Sequence, residues 1–259
     1  MNVQLVKEFL IEAAHRNTAG PGRAGRLHGH SFRIEVIVEG EVDPTLGWLI
    51  DYGDIKEAFG PLHNQLDHRY LNEIEGMNSA SLSDIAAWIQ ERLAPTITGD
   101  SYRLSDGCLS SVSGGANQIT GNCPLLSLSV RVSTVGDNAF VPVELEANPD
   151  RELPQRIGFT FEAAQRLPNL PDGHPCRNLH GHTYRVEVGA ADLARLERPL
   201  ESIYETFDHR CLNDIPGLDD ATSERLCAWI WDKLSNAIDD LEVVIVQETA
   251  TARCIYHGK

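Results

Sequence analysis

The chain writes one short motif twice, as His28-Gly29-His30 and as His180-Gly181-His182. Two histidines separated by one residue at the start of a strand project to the same face. Their Cα atoms stand about 6.5 to 7 Å apart, so both imidazoles can reach one metal ion. A third imidazole, His15, lies upstream at the end of the first apolar strand. Three neutral imidazoles with an open fourth position form the arrangement of a catalytic zinc, where the metal polarises a substrate oxygen. A lone histidine would read as an ordinary surface or capped residue, but a repeated His-Gly-His with an upstream histidine favours the metal. In the second copy the upstream position is Gln165, a poor zinc ligand, so His180 and His182 are expected to form a weak site at best.

Each copy continues with an adjacent acid and imidazole, Asp67-His68 and Asp208-His209, inside the string Asp-His-Arg-x-Leu-Asn. A carboxylate that fixes one tautomer of an imidazole makes it a better proton shuttle. The plainer reading is a helix cap whose aspartate accepts backbone N–H bonds. Cys176 lies just before His180, at the place of Ala24 in the first copy. A metal beside it would lower the thiol pKa and give a thiolate base, whereas a buried inert thiol is the alternative. Glu248 follows the apolar run Val243–Val246, and its partner position in the first copy reads as Ser133. A carboxylate there can accept paired N–H bonds from a guanidine-like ring edge.

These residues must be held by elements that also come in two copies. The runs Glu12-Ala13-Ala14-His15 and Glu162-Ala163-Ala164-Gln165 precede the histidine motifs, and helices containing Trp88 and Trp229 follow the Asp-His strings. Self-similarity in the same order over such a length defines a tandem repeat. After the first motif, Phe32, Ile34, Val36 and Val38 alternate with Arg33, Glu35, Ile37 and Glu39, which predicts a half-buried strand. Leu82, Ile85, Ala86, Ile89 and Leu93 recur at helical spacing, with Ser81 and Asp84 as a capping box. Each half then closes on an apolar strand. The expected architecture is α+β, two domains each with an antiparallel four-stranded sheet and two main helices on one face. The first spans 1–147, with a Gly/Ser/Asn-rich insertion at about 96–124 that carries Cys108 and Cys123; the second spans 154–259.

The 259 residues suit two domains of about 120 residues each. A net charge of −16 argues against a nucleic-acid groove, which needs clustered Lys and Arg. No apolar run approaches a membrane span, and the N-terminus reads as neither signal nor anchor, so a cytoplasmic, membrane-free protein is expected. The six cysteines form no close Cys-x-x-Cys pair, which points away from a disulfide framework or a thiolate zinc knuckle.

Taken together, the motifs resemble the 6-pyruvoyl-tetrahydropterin and 6-carboxytetrahydropterin synthase family, written as two copies over nearly the whole chain. The resemblance rests on Ala-Ala-His, Cys-x-x-x-His-Gly-His, Asp-His-Arg-x-Leu-Asn and the Glu-Thr after the last strand. It implies the tunnelling fold, homo-oligomeric barrels with pterin sites between neighbours, and zinc held by His15, His28 and His30. It further implies Cys176 as the catalytic thiol, Asp67-His68 and Asp208-His209 as acid–base pairs delivered across an interface, and Glu248 as the pterin anchor. The gap between Cys176 and His180 looks closer to the carboxy-forming, queuosine-pathway branch, acting on 7,8-dihydroneopterin triphosphate or a related reduced pterin. Neither copy is complete, since the first lacks the thiol and anchor and the second lacks a zinc ligand. The expectation is therefore one composite site, with zinc on the first domain and with Glu248 and Asp208-His209 reaching in from the second. The alternatives are a catalytically impaired pterin-binding or scaffold homologue and a 6-pyruvoyl-tetrahydropterin synthase.

Overall fold

The computed structural model describes residues 1–43, 47–98, 126–137 and 139–258 of the chain. The insertion expected at 96–124, with Cys108 and Cys123, lies outside these residues from position 99 onward.

In the first domain, strands β1 (Asn2–His15) and β2 (His28–Glu41) pair antiparallel along their whole length, and β3 (Ser127–Thr134) pairs with β2. The alternation read in β2 is real. Phe32, Ile34, Val36 and Val38 are fully buried, while Arg33 and Glu39 are exposed. They pack against helices α1 (Tyr52–Leu66) and α2 (Leu82–Ile97), whose buried faces carry Ile55, Phe59 and Leu66, and Ile85, Ile89 and Leu93. Ser81 caps α2 by accepting the N–H of Asp84 at 3.1 Å. The Asp84 carboxylate also takes the N–H and hydroxyl of Ser79.

The second domain repeats the plan with β4 (Val143–Leu145), β5 (Arg156–Gln165), β6 (His180–Ala190), α3 (Glu197–Phe207), β7 (Arg210–Cys211), α4 (Ser223–Ser235), β8 (Leu241–Thr249) and β9 (Ala252–Tyr256). Its sheet runs β4-β5-β6-β8-β9, with the two-residue β7 parallel to β5. The four-stranded expectation therefore fits β5, β6, β8 and β9 but needs correction at the margins. Short β4 adds an edge strand from before the linker, and the first sheet has three strands among the described residues. Each domain encloses its own core, the second built on Phe159, Phe161, Tyr184 and Phe207. No helix among the described residues is long and apolar enough to cross a membrane.

The two domains meet where the histidine motifs begin. A Cβ on Gly29 would stand 2.3 Å from the Cα of Gly181, and the converse distance is the same. Only glycine allows the two backbones this approach. Beside it the domains exchange hydrogen bonds: Ser31 N–H donates to Thr183 Oγ1 at 3.1 Å, and Thr183 N–H donates to Ser31 Oγ at 3.2 Å. The glycine, read in the sequence only as a spacer between ligands, is what brings the two histidine motifs together.

Candidate active site

Two clusters flank this contact, and each is built from both domains. In the first, β1 ends on His15 and β2 begins on His28, register partners on neighbouring strands. His15 Nδ1 donates to the carbonyl of Ala80 at 2.6 Å, and His28 Nδ1 donates to the carbonyl of Arg26 at 2.9 Å. His30 Nδ1 lies 2.8 Å from Glu162 Oε2 of the second domain. With each Nδ1 turned outward, the Nε2 atoms of His15 and His28 come to 3.0 Å of each other. His15, His28 and His30 offer ligand atoms that all lie within 4.8 Å of one another. Burial, reinforced by the neighbouring imidazoles, pushes His15 and His30 down to about 3 and His28 lower still. All three are thus neutral imidazoles at physiological pH, the form a metal requires. The donor set and its outward hydrogen bonds suit a zinc ion.

The second domain supplies Asp208 and His209 to this cluster. The His209 ring stacks on His28 with centroids 4.2 Å apart and lies 5.9 Å from His30. His209 Nδ1 donates to Asp208 Oδ2 at 2.8 Å, which leaves Nε2 as the atom able to exchange a proton. Arg23 of the first domain also donates to Asp208 Oδ2, at 2.7 Å, and to the Tyr204 hydroxyl, at 2.9 Å. Burial opposes ionisation of Asp208, but the bonds from His209 and the Arg23 charge outweigh it and lower its pKa. His209 and His68 both adopt φ of 54°, a left-handed conformation uncommon outside glycine. It is held in place by backbone bonds, His209 N–H to the Glu162 carbonyl at 2.6 Å and His68 N–H to the Glu12 carbonyl at 2.7 Å. Arg23, Tyr204, Ala80, Glu12 and Glu162 escaped the sequence reading because their roles arise from contacts between distant segments. Only the recurrence of Glu before Ala-Ala in both copies could have singled out the two glutamates.

The second cluster gathers Gln165, Cys176, His180, His182 and Glu248 with Asp67 and His68 of the first domain. His180 Nδ1 donates to the Asn178 carbonyl at 2.8 Å, and the His68 ring lies 4.7 Å from the His180 ring. His68, Cys176 and His180 offer donor atoms within 4.8 Å of one another, as do His180, His182 and Glu248. Asp67 Oδ2 accepts from His68 Nδ1 at 2.8 Å, as Asp208 does from His209. Gln165 occupies the place of His15 in the register, opposite His180, and donates through Nε2 to Glu248 Oε1 at 2.5 Å. Ser223 donates to the other oxygen of Glu248 at 2.9 Å. His182 sits between two carboxylates, with Nδ1 2.8 Å from Glu12 Oε2 and Nε2 3.1 Å from Glu248 Oε1. Burial works against its charge, yet these bonds raise it to about 9. Burial likewise opposes ionisation of Glu248, but His182 holds it down to about 2.

Two expectations change here. Within the chain Glu248 joins the second cluster rather than that of His15, His28 and His30, to which Asp208, His209 and Glu162 cross from the second domain. The first-domain counterpart of Glu248 is Thr134 rather than Ser133, because Arg33 pairs with Ser133 where Arg185 pairs with Gln247. The protein groups around Cys176 raise its thiol pKa, burial first and then the charges of Glu248 and Asp67.

The family model described as 6-pyruvoyl tetrahydropterin synthase matches residues 4–110 and again 156–259. A 6-carboxy-5,6,7,8-tetrahydropterin synthase of Synechocystis sp. is 42% identical over 94 residues, covering 34% of this chain and 73% of the relative. A dihydroneopterin monophosphate aldolase of Pyrococcus furiosus is 40% identical over 100 residues, covering 39% of this chain and 82% of the relative. The solved 6-pyruvoyl tetrahydropterin synthase of Caenorhabditis elegans aligns with 47% of this chain and 97% of its own, at 25% identity and a TM-score of 0.36.

Proposed function

The chain belongs to the 6-pyruvoyl tetrahydropterin synthase family as a tandem duplication, and within that family we propose a zinc-dependent lyase of the 6-carboxytetrahydropterin synthase type. Its substrate in this reading is 7,8-dihydroneopterin triphosphate or a related reduced pterin. The supporting observation is the delivery of His209 and Asp208 from one domain onto the three converging imidazoles of the other. His15, His28 and His30 would hold the metal. A zinc ion bound there would polarise a side-chain oxygen of the pterin and make the adjacent C–H and O–H protons more acidic. His209 Nε2 would take and return those protons, while Asp208 holds the tautomer and stabilises the imidazolium form. Arg23 fixes Asp208 from its far side.

The second cluster would carry the thiol, with Cys176 beside Asp67-His68 and Glu248 as the pterin-facing carboxylate. Among the described residues both sheets end on unpaired strand edges, β1 and β3 in one and β4 and β9 in the other, which favours association of several copies.

A second reading has one observation behind it. Ala24 stands where the second copy has Cys176, and the Pyrococcus furiosus relative is named an aldolase. Aldol-type cleavage of the pterin side chain needs a base at a hydroxyl and a polarising metal, but no thiol. Incubation of the zinc-loaded protein with 7,8-dihydroneopterin triphosphate and its monophosphate, with products identified by mass spectrometry, tests both. A 6-carboxy or 6-pyruvoyl tetrahydropterin supports the synthase reading. A 6-hydroxymethyl dihydropterin supports the aldolase reading, and unchanged substrates contradict both.

A further inference from the structure

We propose that Glu162 and Glu12 are positioning residues, each assembling from a single strand position one of the two inter-domain clusters. Glu162 on β5 performs this for the first cluster with three different groups. Its N–H donates to Asp208 Oδ1 at 3.1 Å, and its carbonyl accepts the N–H of His209 at 2.6 Å. Its carboxyl group crosses the interface to stand 2.8 Å from His30 Nδ1, a buried nitrogen with no hydrogen-bond partner among the described residues. One residue thus places both the acid–base pair of its own domain and a metal-facing imidazole of the other.

Glu12 on β1 mirrors every contact for the second cluster. Its N–H donates to Asp67 Oδ1 at 2.9 Å, its carbonyl accepts from His68 N–H at 2.7 Å, and its carboxylate accepts from His182 Nδ1 at 2.8 Å. The two carboxylates are themselves fixed by the hydroxyls at the domain contact, Thr183 on Glu162 at 2.8 Å and Ser31 on Glu12 at 2.7 Å. An acid on the outer nitrogen of a ligating histidine fixes its tautomer and ring and raises its basicity toward a metal.

The proposal rests on the metal reading of the first cluster, and the test separates the two. Zinc and cobalt affinities are measured by competition with a chromophoric chelator for the wild type, Glu162→Ala, Glu162→Gln and Glu12→Ala, with folding checked by circular dichroism. Glu162→Ala is expected to weaken the first-cluster metal by about 10- to 100-fold and to alter the visible cobalt spectrum. Glu162→Gln should recover part of the loss, since its amide oxygen can stand against Nδ1 in the same place and its size preserves the packing. Glu12→Ala should leave that affinity at the wild-type value. Wild-type affinity and an unchanged cobalt spectrum in both folded Glu162 variants would overturn the positioning role alone. Failure of the wild type to bind metal, or binding that survives His28→Ala, would overturn the metal reading with it.

Discussion

The two clusters share a backbone and oppose each other in charge. In the first, His15 faces His28 across the strand pair, and burial keeps three imidazoles neutral with their Nε2 atoms converging. In the second, Gln165 faces His180 in the same register, and Glu248 stands where the first sheet has Thr134. Those two changes turn a metal-ready histidine, His30, into a charged one, His182, held between carboxylates. A duplicated site can therefore diverge in chemistry without moving its backbone, because each domain still hands the other its Asp-His pair and its glutamate. The division of groups follows the same line, with the cluster of three neutral imidazoles on one side and the Cys176 thiol and Glu248 carboxylate on the other.

The sharpest way to break this comparison is to remove the proton carrier from each side in turn. His209→Ala should lower turnover about 10²- to 10⁴-fold, the usual range for a positioned acid–base group, while bound metal is retained. If His68→Ala causes the larger loss in steady-state assays, the second cluster is the seat of the reaction. Next comes the contact that both clusters share. Gly29→Ala forces a Cβ into the Gly181 backbone, and overpacking of this kind costs about 1–3 kcal/mol, readable as a lower urea midpoint. Gln165→His should convert the second cluster toward the first and add a metal-binding site, measured as a rise in bound metal per chain.

The smallest effect is a pH signature. His182 has a folded pKa of about 9 against an ordinary 6.5, so its ion pairs stabilise the fold fully below pH 6.5 and fade as pH rises through 9. The stability difference between the metal-free wild type and His182→Gln should shrink over that window. Denaturation curves at pH 6 and pH 9.5 with an equal difference would contradict the assigned charge.

The sequence made much of this legible because the repeat aligned the chemistry twice. The strand alternation in Phe32–Glu39, the helix periodicity of Ile85, Ile89 and Leu93, and the His-Gly-His spacing are local signals, and the structure follows them. The destination of Glu248 was not legible, since it depends on which domain face its strand presents. The equivalence of Glu248 with Thr134 rather than Ser133 depends on strand register, which only the pairing of β2 with β3 and of β6 with β8 fixes. Glu12 and Glu162 were hidden for the same reason. A glutamate in an apolar strand shows no partner until the two domains are brought together through Gly29 and Gly181.

Anomalous diffraction at the zinc edge from crystals of the zinc-loaded protein tests the central claim most directly. The account predicts a peak bound by the Nε2 atoms of His15, His28 and His30, with the His209 ring of the second domain beside it. A peak at His180 and His182 with none at the first cluster, or a first-cluster zinc whose neighbouring acid–base histidine is not His209, would contradict it.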